Sequence, residues 1–159
     1  MKDDEFERLY AAEAQGLFAF LAYRTGDRAL AEDLLADAFE RALRGRVKYD
    51  RKRGSAKTWL YAIALNLLRD HARRVAAESR AYDRVGVGEG PDPFAGVEAR
   101  DELGRGLATL SAEEREAIAL RFGAGLTVPE IAEVLGEPLT TIEGRVYRAL
   151  RKLREALAS

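Results

Sequence analysis

The sequence predicts an all-α protein: two small helical domains joined by a flexible linker, the C-terminal one a helix-turn-helix. Three observations lead there. Apolar residues recur three and four apart through residues 3–24, 28–44 and 58–74, the spacing of buried helix faces. From about Ala76 the pattern dissolves, and the Gly- and Pro-rich run VGVGEGPDPFAG follows. Beyond it helical spacing resumes and ends in GLTVPEIAEVLGEPLTTIEGRVYRALRKLREAL, which carries its own start and stop signals. The expected boundaries are an N-terminal domain over 1–76, a linker over 77–96 and a C-terminal domain over 97–159.

The first helix, residues 3–24, offers Phe6, Leu9, Tyr10, Leu17, Phe18 and Leu21 to a core, and Thr25-Gly26-Asp27 has turn chemistry. The second, 28–44, buries the line Ala31, Leu34, Leu35, Ala38, Phe39, Ala42 and Leu43. Its outer face carries Glu32, Asp33, Asp37, Glu40 and Arg41. Paired carboxylates at that spacing can hold a metal or move protons. With no third partner in the pattern, the face reads as solvated or partner-binding. A basic loop, GRVKYDRKRGSAK, precedes the third helix, TWLYAIALNLLRDHARR. Trp59, Leu60, Ile63, Ala64, Leu67 and Leu68 face inward there, while Asn66, Arg69, Asp70, Arg73 and Arg74 face out. Outward Asn and Arg behind a basic loop with a tyrosine suit a nucleic-acid surface.

The Gly-rich run is neither a Rossmann fingerprint nor a P-loop, since no GK[ST] follows and no apolar strand precedes it. Residues 97–110 resume as a helix with Leu103, Leu107 and Leu110, weakened by Gly104 and Gly106. Ser111 and Glu114 form a capping box opening a helix that ends near Phe122 and Gly123. Thr127 with Glu130 is a second capping box, ahead of the stripe Val128, Ile131, Val134 and Leu135. Gly136 tolerates the left-handed backbone of a helix end, and Glu137-Pro138 makes the turn. The last helix is two-faced: Ile142, Val146, Leu150, Leu153 and Leu157 on one side, Thr141, Arg145, Arg148 and Lys152 on the other. One face must be buried against the preceding helix; the other can enter a major groove, where Arg pairs with guanine and Thr reaches a base edge or phosphate. Glu143 runs against that charge pattern, and can cap with Thr140 or accept from a cytosine amino group.

Composition narrows the classes. There is no Cys, which excludes disulfides and thiolate metal sites, and the one His, His71, lies in an arginine-rich helix. No nucleophile, base and orienter can be assembled, so an enzyme is not expected. No apolar run approaches the roughly 20 residues that span a bilayer, and MKDDEFERLY has no apolar signal core, which predicts a cytoplasmic protein with no direct membrane insertion. The net charge of −1 conceals four blocks. Residues 1–40 hold 4 basic and 10 acidic side chains, net −6; 41–84 hold 13 and 4, net +9; 85–143 hold 4 and 12, net −8; 144–159 hold 5 and 1, net +4. Two basic blocks separated by acidic ones predict two contacts with a polyanion.

In order and spacing, AEDLLADAFERA, TWLYAIALNLLRDHARR, LSAEEREAIALRFGAGLTVPEIAEVLG and RVYRALRKLR resemble the bacterial extracytoplasmic-function (ECF) sigma factors of the sigma-70 family over nearly the whole chain. The resemblance implies promoter-specific transcription initiation by binding core RNA polymerase, with no cofactor, catalytic residue or small-molecule substrate. By position, Glu32, Asp33, Asp37, Glu40 and Arg41 would dock on the polymerase clamp helices, with the flap as a second polymerase contact. The loop from Tyr49 to Thr58, with Arg51, Lys52, Arg53, Ser55 and Lys57, would hold a flipped base of the −10 element. Asn66, Arg69, Arg73 and Arg74 would touch the same element. Thr140, Thr141, Arg145, Arg148 and Lys152 would read the −35 element. A cognate anti-sigma factor, often membrane-bound, is also implied. Four positions depart from the family pattern: Ala56 where an aromatic is common, Leu65 for a common Arg, and Glu143-Gly144 for a common Lys-Ser pair. A free-standing helix-turn-helix regulator would explain the C-terminal part equally well but gives no reason for the second basic helix and loop.

Overall fold

In a computed structural model, residues 1–82 and 102–158 are described, and these contain seven α-helices and no strand. Helices α1 (Asp3–Thr25) and α2 (Arg28–Gly45) form an antiparallel hairpin. Gly26 turns the corner in the left-handed region (φ 66°), and Asp27 caps α2 by accepting from the Leu30 amide at 3.2 Å. Helix α3 (Ala56–Tyr82) packs on both. Leu17, Leu21, Ala31, Leu34, Ala38, Phe39, Leu60, Ala64 and Leu68 form the buried centre.

Several inward positions differ from the sequence expectation. Phe20, rather than Phe18, is buried in α1; Phe18 lies half-buried beneath the Arg28 guanidinium, 5.6 Å from its ring centre. Tyr10 is 53% exposed yet rests edge-on against Phe39 at 4.8 Å. In α3 the buried face is wider than one stripe and includes Tyr61 and Leu65. Tyr61 packs on α1, its ring against Phe20, while Leu65 lies on the side of α3 that meets a helix of the other domain, α6 (Val128–Leu135).

Tyr61 is fully buried, its ring edge-on to Phe20 at 6.0 Å, and its hydroxyl has no hydrogen-bond partner among the described residues. Burial, reinforced by Glu13, pushes this phenol well above its ordinary range. A buried unpaired hydroxyl costs roughly 1–3 kcal/mol. Tyr61→Phe is therefore expected to be neutral or to raise the urea midpoint; a loss above about 1 kcal/mol would mean the hydroxyl has a partner.

Helix α3 also runs past Ala76 to Tyr82, farther than the apolar period predicts. The extension AAESRAY is exposed at Ala77, Glu78, Ser79 and Arg80, so periodicity gives no signal while Ala, Glu and Arg still favour helix. The remainder of the expected linker and the start of the next helix fall outside the described residues.

The C-terminal domain comprises α4 (Glu102–Ala108), α5 (Ala112–Ile118), a π-helical turn (Ala119–Gly123), α6 (Val128–Leu135) and α7 (Leu139–Ala158). Gly106, which weakens α4 as a helix, lets it approach α7 closely: a Cβ there would stand 3.2 Å from Leu153 Cδ2. The single helix expected after Ser111 ends instead in wide turns, with the Ala124 amide donating to the Ala119 carbonyl at 2.9 Å. Both expected capping boxes are formed. Gly136 (φ 67°) closes α6, and the Glu137 amide donates back to Ala132 at 3.0 Å. Leu126, Ile131 and Ile142 are wholly buried between α6 and α7. The apolar cores of the two domains are contiguous.

Candidate nucleic-acid interface

Two surfaces stand where the sequence placed its basic blocks. The first is the loop before α3. Tyr49 and Trp59 meet at 5.1 Å, tilted by 45°, and the Tyr49 hydroxyl donates to the Gly54 carbonyl at 3.0 Å. The Lys52 amide donates to Asp50 Oδ1, tightening the turn between them. Ser55 caps α3: its Oγ accepts from the Thr58 amide at 3.1 Å, and Thr58 Oγ1 donates to the Ser55 carbonyl at 2.8 Å. Thr58 is buried, so this hydroxyl shapes the wall of the cleft. The result is a cleft of about 610 Å³ with an aromatic floor, edged by Lys48, Arg53 and Ser55. Such a floor can stack a base, and the surrounding cations can hold its phosphates.

Arg51, Lys52 and Arg53 are exposed; Arg51 pairs with Glu5. Lys57 is half-buried beside Glu13 at 3.8 Å. On α3, Asn66, Arg73 and Arg74 are exposed, and Arg73 lies 3.6 Å from Asp70. Arg69 is drawn aside, 3.7 Å from Glu116 of α5.

The second surface is α7. With Ile142, Val146, Ala149 and Leu153 buried, a turn of 100° per residue puts Thr140, Gly144, Tyr147, Arg148 and Arg151 opposite them. Thr141 is at the margin, half-buried. Two of the expected readers, Arg145 and Lys152, sit to one side and are engaged within the domain. The Arg145 side chain is 13% exposed and grips Glu137 through both terminal nitrogens, one of them at 2.7 Å, with Glu113 at 4.0 Å. This hydrogen bonding raises the Arg145 pKa and holds the Glu137 carboxyl below its ordinary value. Lys152 donates to the buried Glu114 at 2.7 Å. Burial would push Glu114 up, but Lys152 and the Ser111 amide and hydroxyl outweigh it, leaving the carboxyl below its usual range.

Tyr147 was not singled out from sequence, yet it is 69% exposed in the middle of the outward face. The available signal was its place between Val146 and Arg148, directly off the apolar stripe. Arg148 folds back over Gly144, where a Cβ would stand 3.0 Å from its Nη1. On α2, Glu32, Asp33, Asp37, Glu40 and Arg41 are all exposed, with Glu40 paired to Arg44 at 2.6 Å. Four of these five side chains are carboxylates, so the exposed face of α2 is acidic.

The comparisons decide the family. Residues 9–78 match the sigma-70 region 2 family and residues 106–155 match sigma-70, region 4. The chain is 35% identical to the ECF RNA polymerase sigma factor SigC of Mycobacterium tuberculosis (strain CDC 1551 / Oshkosh), over 90% of this chain and 78% of that one. This chain is an ECF sigma factor of the sigma-70 family. It is also 33% identical to the ECF RNA polymerase sigma factor BldN of Streptomyces coelicolor, where it spans 97% of its own length but 61% of the relative's. Among solved structures, the sigma factor RpoE in complex with the anti-sigma factor NepR from Bartonella quintana superposes with a TM-score of 0.76 at 27% identity, covering 97% of both chains. The loop cleft and α3 of this sigma factor thus belong to its region 2 and α6–α7 to its region 4. Among the described residues no helix is long and apolar enough to cross a membrane.

Proposed function

We propose that this sigma factor directs core RNA polymerase to promoters by reading two DNA elements, one with each domain. The observation that carries this is the pairing, in one chain of this family, of an aromatic-floored basic cleft with a separate helix-turn-helix whose second helix presents Thr140, Tyr147, Arg148 and Arg151. The cleft, with Tyr49 and Trp59 as its floor and the Arg51, Lys52 and Arg53 loop beside it, holds an extruded base of the −10 element, and Asn66, Arg73 and Arg74, farther along α3, hold the adjacent DNA. Extrusion costs a few kcal/mol of unstacking, which such a pocket can offset. The outward face of α7 reads the −35 element, the Tyr147 ring against a thymine methyl and Arg148 toward guanine or phosphate. Arg145 and Lys152 brace that helix through Glu137 and Glu114. The exposed carboxylates of α2 dock on the polymerase clamp, and an anti-sigma factor is a further partner, as it is for RpoE. The work is done in the cytoplasm by binding alone, without catalysis or cofactor.

Neither DNA contact need be tight, because the polymerase holds both at high local concentration. Two measurements test the reading: co-elution with bacterial core RNA polymerase, and run-off transcription from a promoter library. A one-to-one complex that starts at a defined −35/−10 pair is expected. A protein that ignores the polymerase and shifts duplex DNA tightly on its own, as a dimer, would replace this reading with that of a free-standing regulator.

A further inference from the structure

The loop that carries the base cleft has a second side. Its turn is closed from within: the Arg53 amide donates to the Asp50 carbonyl at 3.1 Å, and the Lys52 amide to Asp50 Oδ1 at 3.0 Å. These bonds fix the shape of the turn but not its place against the helices. Its cations divide between two sides. Arg53 lines the base cleft, whereas Arg51 lines a separate cleft of about 610 Å³ against the first two turns of α1, with Glu5, Arg8 and Leu9. Tyr49, Gly54 and Ser55 border both clefts, so this strip of the loop is the wall between them. Arg51, expected from its charge to contact the −10 element, thus lines the second cleft and not the first. The Glu5 carboxylate pairs with its guanidinium there. The Glu5 side chain is 21% exposed and that of Arg51 70%, so the carboxylate is the fixed member and the arginine the one that is held. Helix α1 also grips the two ends of the segment. Asp3 accepts from Arg46 Nε at 3.1 Å where α2 stops, and Glu13 lies 3.8 Å from Lys57 Nζ in the first turn of α3. The Tyr49 phenol registers the pair: burial raises its pKa, Arg51 pulls it down and Glu5 pushes it up.

We infer that Glu5 is a positioning residue for base reading: through Arg51 it sets where the loop stands, and with it the space between Tyr49 and Trp59 that a base must fit. The two rings lie 5.1 Å apart, tilted by 45°. The Trp59 ring is carried by α3 and the Tyr49 ring by the loop, so a shift of the loop moves one half of the floor and leaves the other in place. A base stacks well only on a floor whose two halves hold one geometry. Arg51 then acts on DNA at second hand, and the cations at the base cleft itself are Lys48 and Arg53. A partly exposed ion pair contributes little to global stability. It can still choose between neighbouring positions of a loop, because those positions differ little in free energy. The inference rests on the assignment of the cleft to an extruded base.

The test uses the holoenzyme, assembled from core RNA polymerase and the full chain. Templates share one −35 element and carry each of the four bases in turn at every position of the −10 element. The readout is base preference: the rate of open-complex formation on the best base relative to the others, at the most selective position. Glu5→Gln and Arg51→Gln are each expected to lower that preference about three- to fivefold, the change that a partly exposed ion pair can supply. The double variant should lower it no further, because all three remove the same link. Arg51→Lys keeps a cation within reach of Glu5 and should retain the preference of the parent. Glu7→Gln, on an exposed face of α1, is the control, and thermal melts show that each variant is folded. A purely structural role would slow every template alike and leave the preference unchanged; that result in folded variants would overturn the inference. So would a uniform loss in Arg51→Gln, with the salt slope reduced by about one, beside a uniform gain in Glu5→Gln: Arg51 would then be a phosphate contact and Glu5 its competitor. Additive losses in the double variant would overturn it too, by separating Glu5 from Arg51. A parent holoenzyme with no base preference at any −10 position would instead remove the assignment of the cleft, and the inference with it.

Discussion

Tyr147→Ala and Arg148→Ala are each expected to lower run-off transcription from a −35-dependent promoter about tenfold or more, with the unfolding midpoint unchanged. The figure follows from roughly 1–3 kcal/mol per base contact. Both side chains are exposed on the outward face of α7, where Arg148 folds back over Gly144. Arg145→Ala should behave in the opposite sense. Its guanidinium is largely buried and bidentate with Glu137, so its loss leaves a carboxylate without its partner at the turn between α6 and α7. Thermal melts run beside transcription assays separate the two behaviours. Loss of transcription with full stability in Arg145→Ala, and no loss in Tyr147→Ala, would return the reading role to Arg145.

Glu114→Ala is expected to destabilise the C-terminal domain by about 2–3 kcal/mol, read by urea denaturation. One carboxylate there serves two structures. It accepts from the Ser111 amide at 2.9 Å, completing the α5 capping box, and from Lys152 of α7 at 2.7 Å. Loss of a cap costs about 1 kcal/mol. Breaking a fully buried pair would add about 3–5 kcal/mol, but Lys152 is 39% exposed and can turn to water, which reduces that share. The same contacts give a pH dependence. The folded-state pKa of Glu114 lies below its unfolded value, so its contribution is fully present above the unfolded carboxylate range and is lost as pH falls through the folded pKa. Glu137 acts in the same sense. Acid unfolding of Glu114→Ala should therefore be shallower than that of the parent. An identical acid transition would show that Glu114 does not titrate during unfolding.

The helix-turn-helix was legible in the sequence almost to the residue, because its signals are local. Thr127 with Glu130, Gly136 and the stripe through Ile131 and Ile142 each act within one or two turns of chain. The N-terminal hairpin was legible for the same reason. Tertiary partners caused the differences. Leu65 is buried because α3 packs on a second domain, and Tyr61 because it packs on Phe20 of α1, neither of which a period within α3 reveals. Arg145 and Lys152 read as groove residues from their helical face, but Glu137 and Glu114 lie within reach only once the chain has folded. The wide turn at Ala119–Gly123 inserts a residue into a helix whose sequence, AIALRFG, shows no break. Tyr147 was passed over because a lone aromatic beside an apolar stripe usually reads as core.

The Glu137–Arg145 clasp has a consequence for how this sigma factor can change over evolutionary time. It locks the turn to the second turn of α7 without using Thr140, Tyr147, Arg148 or Arg151. On the proposed assignment of these four residues to DNA, the scaffold and the lettering are encoded at different positions. Substitutions among the lettering residues can redirect the protein to new promoters one step at a time, each intermediate remaining folded and able to engage polymerase. A duplicated copy could acquire its own regulon by drift at a handful of exposed codons, while selection on stability keeps the clasp in place.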